Sequence, residues 1–204
     1  MRVAVLFFGR LKHHERKYLL NSLPKTHEYD IFLSCDAEPQ ELLDNFIGLY
    51  SPIAATNEKI AYDVDFGKYP NQKTHPVNIH NMTCHFLNKK RVFGLLEQHV
   101  AATGAVYDVV LSARLDLSVG PLGLQVPAEN TVYIPSNEDH TGINDRLAFG
   151  DMETMKKYMN VFDNCLYLLE NNLSVPHPEN LTLYNILHWK ISVSRFHLDA
   201  SLVR

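Results

Sequence analysis

Short apolar runs alternate with segments of helical period along the first half of this chain. Val3 to Phe8 is a continuous apolar run that ends at Gly9, and its length predicts a strand buried on both faces. His14 to Leu23 then places apolar residues at helical spacing. The same order recurs with a strand at Tyr29 to Ser34 and a helix whose apolar stripe runs from Leu42 to Tyr50. The pattern therefore predicts successive β-α units.

A long helix is predicted next, and its apolar stripe contains a lysine. Before it, a third strand is expected around Ile53 to Thr56, followed from Ala61 to Pro76 by an aperiodic loop that either covers a binding site or is plain surface. Ile79 to Thr103 has helical period, with Lys89 at a position of the buried stripe. Because lysine is seldom buried without a partner, we expect its ammonium group to reach the surface or to meet an anion at the edge of the sheet.

The second half of the chain continues the alternation. A strand at Tyr107 to Ala113 runs directly into Arg114 and Asp116. The elements predicted after it are a strand at Thr131 to Ile134, a polar loop, the apolar stretch Leu147 to Gly150, a methionine-rich helix from Asp151 to Leu169, a helix at Pro178 to Trp189 and a strand at Ile191 to Leu198. Strands that alternate with helices predict an α/β fold, with a mainly parallel central sheet flanked by helices, in a single domain over residues 1–204.

Composition and charge weigh against nucleic acid and membrane as partners. The 204 residues are 46% hydrophobic and 21% charged, with a net charge of -4 and no block of basic residues long enough to follow a nucleic-acid backbone. The N-terminal run VAVLFF is too short for a signal peptide or a membrane span, so we expect no membrane span and a cytoplasmic location. The three cysteines lie far apart, which predicts idle thiols and not a disulfide framework or a zinc ribbon. The ending DASLVR has no polar tail, which favours a continuation into a longer polypeptide.

Several common catalytic motifs are missing from the sequence. FFGRLKHH has one glycine where a dinucleotide site would have GxGxxG, and neither GxxxxGK[ST] nor GxSxG occurs. His75, His80 and His85 are spaced by five, which does not match HExxH and is typical of a solvated run. These absences weigh against Rossmann dehydrogenases, P-loop enzymes, common α/β hydrolases and zinc hydrolases.

Charged residues follow the ends of the predicted strands, where ligands bind in parallel sheets. They include Arg10, Asp36 and the pair Arg114 and Asp116. A carboxylate beside a guanidinium suits a diphosphate held through Mg²⁺ or Mn²⁺. A salt bridge that closes the sheet explains the last pair equally well.

The order of several segments resembles a family of GT-A type glycosyltransferases. The segments are VAVLFFGR, YDIFLSCD, YDVVLSARLDLSV, NTVYIP, GINDRLAFGDMETMKKY and HPENLTLYNIL, so the resemblance covers most of the chain. The family's DxD signature has here the form Arg114-Leu115-Asp116, in which one acidic metal ligand is missing. The resemblance implies a GT-A-like nucleotide-diphospho-sugar transferase domain. The segments also resemble those of viral members of the family that decorate a capsid glycan. That resemblance implies rhamnosyl transfer in the host cytoplasm.

The resemblance also implies which residues bind the donor. The residues that would contact the nucleotide sugar are Phe8, Gly9, Arg10, Asp36 and Lys89. A helix N-cap role suits Asp36 equally well.

The metal and catalytic roles follow from the same resemblance. Asp116 and His197 would hold Mn²⁺ or Mg²⁺, although a structural role explains His197 as well. Arg114 would contact the diphosphate or the acceptor side, and Asp145 would deprotonate the acceptor hydroxyl. The expected activity is transfer of a sugar, rhamnose or glucose, from a UDP-sugar donor to a glycan acceptor. The alternatives are a non-catalytic carbohydrate-binding domain and a nucleotidyl- or phosphotransferase.

Overall fold

A seven-stranded sheet with helices on both faces forms the centre of the protein. The computed structural model describes residues 1–11, 14, 18–65, 68–69 and 77–202. The strands within them are β1 (Arg2–Phe8), β2 (Glu28–Ser34), β3 (Ala54–Thr56), β4 (Val109–Arg114), β5 (Leu117–Val119), β6 (Thr131–Pro135), β7 (Leu147–Gly150), β8 (Ser192–Phe196) and β9 (Ala200–Leu202). The helices within them are α1 (Tyr18–Ser22), α2 (Gln40–Tyr50), α3 (Ile79–Thr103), α4 (Met152–Met159), α5 (Val161–Glu170) and α6 (Pro178–His188).

The sheet is mainly parallel, as the sequence predicts, with one reversed strand. Its order is β3-β2-β1-β4-β7-β6-β8, and β5 pairs with β9 in a separate small sheet. Neighbouring strands pair in parallel from β3 to β4 and between β6 and β8, whereas β7 is antiparallel to both β4 and β6. From β1 the chain adds β2 and β3 on one side and then returns to place β4 on the other. This reversal puts a topological switch point between β1 and β4, where open α/β sheets bind ligands at the carboxyl ends of the strands.

Both faces of β1 are buried because its side chains alternate between two cores. Val3, Val5 and Phe7 belong to one hydrophobic cluster, whereas Ala4, Leu6 and Phe8 belong to the cluster on the opposite face. All six are at most 2% exposed. The continuous apolar run of the sequence is thus confirmed as a strand buried on both faces.

The helix α3 has the predicted limits because both of its ends are capped. The Asn78 side chain accepts a hydrogen bond from the Asn81 backbone N at 3.0 Å, and Gly104 follows the last turn with a φ of 69°. Within the described part of the chain, no helix has both the length and the apolar character that crossing a membrane requires.

The structure differs from the predicted elements in two places. The single helix expected from Asp151 to Leu169 is two helices, α4 and α5, separated at Asn160. The pairing of β5 with β9 was not predicted, since each strand has only 3 residues and too little sequence to show a period. Of the predicted loop from Ala61 to Pro76, residues 61–65 have no regular structure, and residues 66, 67 and 70–76 lie outside the described residues.

Candidate functional site

A cavity of about 490 Å³ lies at the carboxyl ends of β1, β2 and β4. Its wall contains five residues that the sequence analysis selected, namely Gly9, Arg10, Asp36, Arg114 and Asp116. The rest of the wall includes a polar face of α3. The volume lies within the range typical of small-molecule sites. The structure therefore brings most of the predicted strand-end residues together at the switch point of the sheet.

Gly9 lets the chain turn at the mouth of this cavity. Its φ is 105°, a conformation that side chains with a Cβ rarely adopt. Its backbone N donates to the Ser34 carbonyl oxygen at 3.1 Å, which fixes the end of β1 against the end of β2. The exposed Arg10 follows directly and lines the cavity.

Arg114 and Asp116 form a bidentate ion pair in the cavity wall. Arg114 Nε lies 2.9 Å from Asp116 Oδ1, and a terminal guanidinium nitrogen lies 2.6 Å from Oδ2. The side chains are 32% and 23% exposed. Burial alone would lower the pKa of Arg114, but the hydrogen bonds and charge of Asp116 outweigh it and raise that pKa. The salt bridge considered as an alternative is thus present, and it lies where a ligand in the cavity can reach it.

Asp116→Asn is expected to lower the free energy of unfolding by about 1–3 kcal/mol, because the pair is neither fully exposed nor fully buried. Urea denaturation of Asp116→Asn, Arg114→Met and the double variant would measure the coupling between the two side chains. Single effects that simply add in the double variant would show that the ion pair contributes nothing.

A second, buried cluster lies behind the cavity wall and contains Asp145. The Asp145 carboxylate is 2.9 Å from His85 Nε2, and these side chains are 7% and 13% exposed. Lys89 is fully buried, with its Nζ 4.2 Å from the centre of the Tyr158 ring and 5.8 Å from that of Phe8. No group in the described residues forms a hydrogen bond with this ammonium group, and the charge of Asp145 stabilises it. Lys89 therefore does not reach the surface, and the negative charge that stabilises it is that of the protein's own Asp145, with which it forms no hydrogen bond.

The charges in this cluster balance at neutral pH. Burial lowers the pKa of Lys89 to about 8, against the opposing charge of Asp145, so the ammonium form still prevails. Burial raises the pKa of Asp145, but His85, which can carry a proton only at acidic pH, and the positive charges of Lys89 and Arg114 outweigh it, and the net pKa lies well below the usual range. Burial lowers the pKa of His85, although Asp145 opposes this. We infer an ionised Asp145, a protonated Lys89 and a neutral His85.

These positions change the roles that the resemblance implied. Asp145 and Lys89 do not line the cavity, and neither does Phe8, which is fully buried in the core. An ionised carboxylate with a lowered pKa is a weak base, and it cannot contact an acceptor from behind the wall. We therefore treat Asp145 as the group that holds His85 in the wall, and Lys89 as a buried cation that the charge of Asp145 stabilises.

Acidification is expected to destabilise the protein through His85. The folded-state pKa of His85 is lowered from 6.5, so the unfolded chain takes up a proton as the pH falls through 6.5 while the folded chain does not. The stability that the neutral imidazole contributes is present above this pH and is lost below it. The free energy of unfolding should therefore fall less in His85→Gln than in the wild type between about pH 7.5 and 5.5. His197→Gln, at a side chain 78% exposed, is the control and should follow the wild-type curve. Equal falls in His85→Gln and wild type would contradict this assignment.

Asp36 faces two residues of α3 that the sequence analysis did not select. Cys84 Sγ lies 3.5 Å from Asp36 Oδ2 and 3.6 Å from His80 Nε2. Burial, together with the charge of Asp36, raises the pKa of Cys84 to about 11, so the thiol is protonated at neutral pH. His80 and Cys84 are four residues apart and therefore share a helix face, as the two histidines of an HExxH motif do.

Two expectations about these residues are wrong. Asp36 is not a helix N-cap, because α2 has Pro39 at that position; Asp36 Oδ1 instead accepts from the Ile60 backbone N at 2.6 Å. The histidines of α3 are not a solvated run, because His85 is largely buried. His75 lies outside the described residues.

His197 is not brought to the cavity. It follows β8, is 78% exposed, and its Nε2 lies 3.1 Å from Asp199 Oδ1. It is not part of the wall that contains Asp116. Of the two metal ligands that the resemblance implied, the cavity contains Asp116 alone.

No model of a known protein family matches the chain, and no curated protein matches it significantly. The fold and the site define an α/β protein with a cavity at its topological switch point. Its activity is therefore argued from the site.

Proposed function

We propose that this chain is a GT-A-like glycosyltransferase domain that transfers a sugar, rhamnose or glucose, from a UDP-sugar to a glycan acceptor. The observation that carries the proposal is the place of the cavity, at the ends of β1 and β4 where the crossover direction reverses. The resemblance of the segments around these strand ends to GT-A type glycosyltransferases supplies the substrate class.

The cavity offers suitable partners for each part of the donor. Arg10 and Arg114 are the arginines of its wall, and guanidinium groups bind phosphate oxygens in a bidentate manner. The backbone at Gly9 allows close approach of the nucleotide. Asp36 and Glu38 are carboxylates that can accept hydrogen bonds from ribose hydroxyls.

The proposed chemistry is nucleophilic substitution at the anomeric carbon of the donor sugar. The bond from that carbon to the diphosphate oxygen breaks, and the negative charge that develops on the leaving UDP is stabilised by Arg10 and Arg114. The acceptor hydroxyl loses its proton to a carboxylate as the new glycosidic bond forms. That carboxylate has to face the cavity, as Asp36, Glu38 and Asp116 do and Asp145 does not.

The resemblance implies Mn²⁺ or Mg²⁺, and the residues present fit such an ion only in part. Asp116 is a carboxylate in the wall, but both of its oxygens already accept from Arg114. Each oxygen retains a further lone pair, so Asp116 could contribute one ligand beside the diphosphate oxygens. Such an ion would add positive charge next to the leaving group. With one protein ligand, we expect it to bind measurably only in the presence of UDP.

A non-catalytic carbohydrate-binding domain is the second candidate. Two carboxylates that were predicted to be functional favour it, because each already has a partner within the protein: Asp145 lies beside His85 and Asp116 beside Arg114. Such a protein would bind glycan in the cavity and consume no donor.

Product analysis after incubation with UDP-glucose or UDP-rhamnose tests the proposal. We expect free UDP, with the sugar attached to an added glycan or released by slow hydrolysis. Arg114→Met should lower this rate, whereas His197→Gln, outside the cavity, should leave it unchanged. A new phosphoester would instead indicate a nucleotidyl- or phosphotransferase. Glycan binding without donor consumption would indicate the non-catalytic domain, and either result would overturn the proposal.

A further inference from the structure

Three side chains at the cavity carry donor atoms of types that bind transition metals. They are the Asp36 carboxylate, the His80 imidazole and the Cys84 thiol, and their donor atoms lie within 4.8 Å of one another. Among the residues that the structure describes, these three side chains form a group whose donor atoms could hold a metal ion. It lies apart from His197 and does not include Asp116.

The spacings of the Cys84 sulfur from its two partners match a tetrahedral zinc site. Zinc binds cysteine sulfur at about 2.3 Å and histidine nitrogen or carboxylate oxygen at about 2.0–2.1 Å, so tetrahedral angles place the sulfur about 3.5 Å from either partner. Cys84 Sγ lies 3.5 Å from Asp36 Oδ2 and 3.6 Å from His80 Nε2. The sulfur is therefore already spaced for an ion, whereas the donor atoms of Asp36 and His80 are within 4.8 Å of each other and the imidazole would turn on binding.

Outer partners already orient two of the three ligands. The Tyr62 hydroxyl lies 2.9 Å from His80 Nδ1, which leaves Nε2 for a metal, but Cys84 Sγ is 3.6 Å from Nε2 and 3.9 Å from Nδ1, so the imidazole would have to turn for Nε2 to face the ion. The Ile60 backbone N donates to Asp36 Oδ1, which leaves Oδ2 toward the thiol. Ligands of metal sites are commonly fixed in this way by hydrogen bonds on the side away from the metal.

We propose that Asp36, His80 and Cys84 form a zinc site in the wall of the cavity. The thiolate and the imidazole select Zn²⁺ over Mg²⁺ and Mn²⁺, which prefer oxygen ligands. Three protein ligands leave a fourth position, and because the residues line the cavity this position can take water or an oxygen of a cavity ligand. Binding replaces the thiol proton of Cys84, which leaves to solvent. The argument for this site does not rest on the proposed glycosyltransferase activity, but zinc at Asp36 would take that carboxylate away from a ribose hydroxyl or an acceptor proton.

Cobalt substitution tests the site directly. We expect the metal-free protein to bind one Co²⁺ with a thiolate charge-transfer band in the near ultraviolet and visible bands of tetrahedral intensity, and Zn²⁺ to displace it. Cys84→Ser should abolish the charge-transfer band. His80→Gln should lower zinc affinity by more than the about 10- to 100-fold that loss of an outer partner causes. Tyr62→Phe, which removes an outer partner, should lower it by about tenfold.

Matched controls separate this site from other thiols and histidines. Cys165→Ala changes a buried cysteine outside the cavity and should keep the cobalt spectrum and the zinc affinity of the wild type. His80 is exposed, so His80→Gln should fold even if a change at Cys84 does not. No thiolate band in the wild type, a band that persists in Cys84→Ser, or unchanged zinc affinity in His80→Gln would each overturn the proposal.

Discussion

Asp145→Asn is expected to lower the free energy of unfolding by about 1–3 kcal/mol, the range found when a buried polar group loses its partner. The substitution keeps the shape of the side chain but removes the negative charge that stabilises the fully buried Lys89. It also replaces the acceptor that lies 2.9 Å from His85 Nε2. Urea denaturation at neutral pH would measure the loss.

The partner residue provides the test of this explanation. Lys89→Met places an apolar side chain of similar length beside Tyr158, so we expect it to be tolerated better than Asp145→Asn. The double variant should be more stable than Asp145→Asn alone, because it no longer buries an unpaired ammonium group. Asp163→Asn, which disrupts the exposed pair with Lys90, is the matched control and should cost at most about 1 kcal/mol. Strictly additive effects of the two buried substitutions would contradict the account.

Gly142→Ala should produce the second large loss of stability, of about 1–3 kcal/mol or more. An added Cβ would lie 2.4 Å from both the carbonyl carbon and oxygen of Glu179 and 2.6 Å from the Asn180 backbone N, all of them backbone atoms that cannot rotate away. The loop is also fixed there, since the Glu179 carboxylate accepts from the backbone N of His140 at 2.8 Å and of Thr141 at 2.9 Å. The midpoint of thermal unfolding would report the change.

A second glycine serves as the control for Gly142→Ala. Gly94 lies within α3, and a Cβ added there would meet nothing within 4 Å beyond the backbone of its own helix. Gly94→Ala should therefore stabilise the helix by about 0.5–1 kcal/mol. Opposite signs at the two positions would confirm that close approach, and not the loss of glycine itself, decides the effect. A Gly142→Ala variant as stable as the wild type would show that α6 can move away from this loop.

Local sequence patterns were sufficient to predict the elements that form the centre of the sheet. β1 and β2 are apolar runs of strand length, and α3 has both a long period and capping residues, Asn78 and Gly104. The pairing of the short strands β5 and β9 was harder to predict, because it joins distant segments of the chain and no local pattern indicates it. The break at Asn160 has no proline or glycine to mark it.

The candidate site was predictable only as far as strand ends define it. The rule that ligands bind at carboxyl ends of parallel strands located Gly9, Arg10, Asp36, Arg114 and Asp116 on one cavity. The sequence also marked Lys89 as anomalous in a buried stripe. The charge that stabilises it could not be found in this way, because Asp145 is distant in the sequence and comes near only when α3 packs against the sheet.

The residues of α3 show why the other side of the cavity was missed. His80 and Cys84 share a face at a four-residue spacing that could have been noticed, but their relation to Asp36 depends on how the helix crosses the end of β2. His197 was predicted to be a metal ligand at the cavity because it lies near the last predicted strand in sequence, but its side chain extends into solvent. His197 shows that a position near the end of a strand does not by itself bring a side chain into the cavity.

Calorimetric titration of UDP, with and without Mn²⁺, tests most directly whether the cavity at the switch point binds a nucleoside diphosphate. We predict one UDP per chain, tighter binding with Mn²⁺, and weaker binding in Arg114→Met, which loses a charge-assisted contact worth about 1.5–3 kcal/mol. Lys89→Met, outside the cavity, should bind UDP as the wild type does. If the folded wild-type protein binds no UDP under either condition, the proposed donor site does not exist.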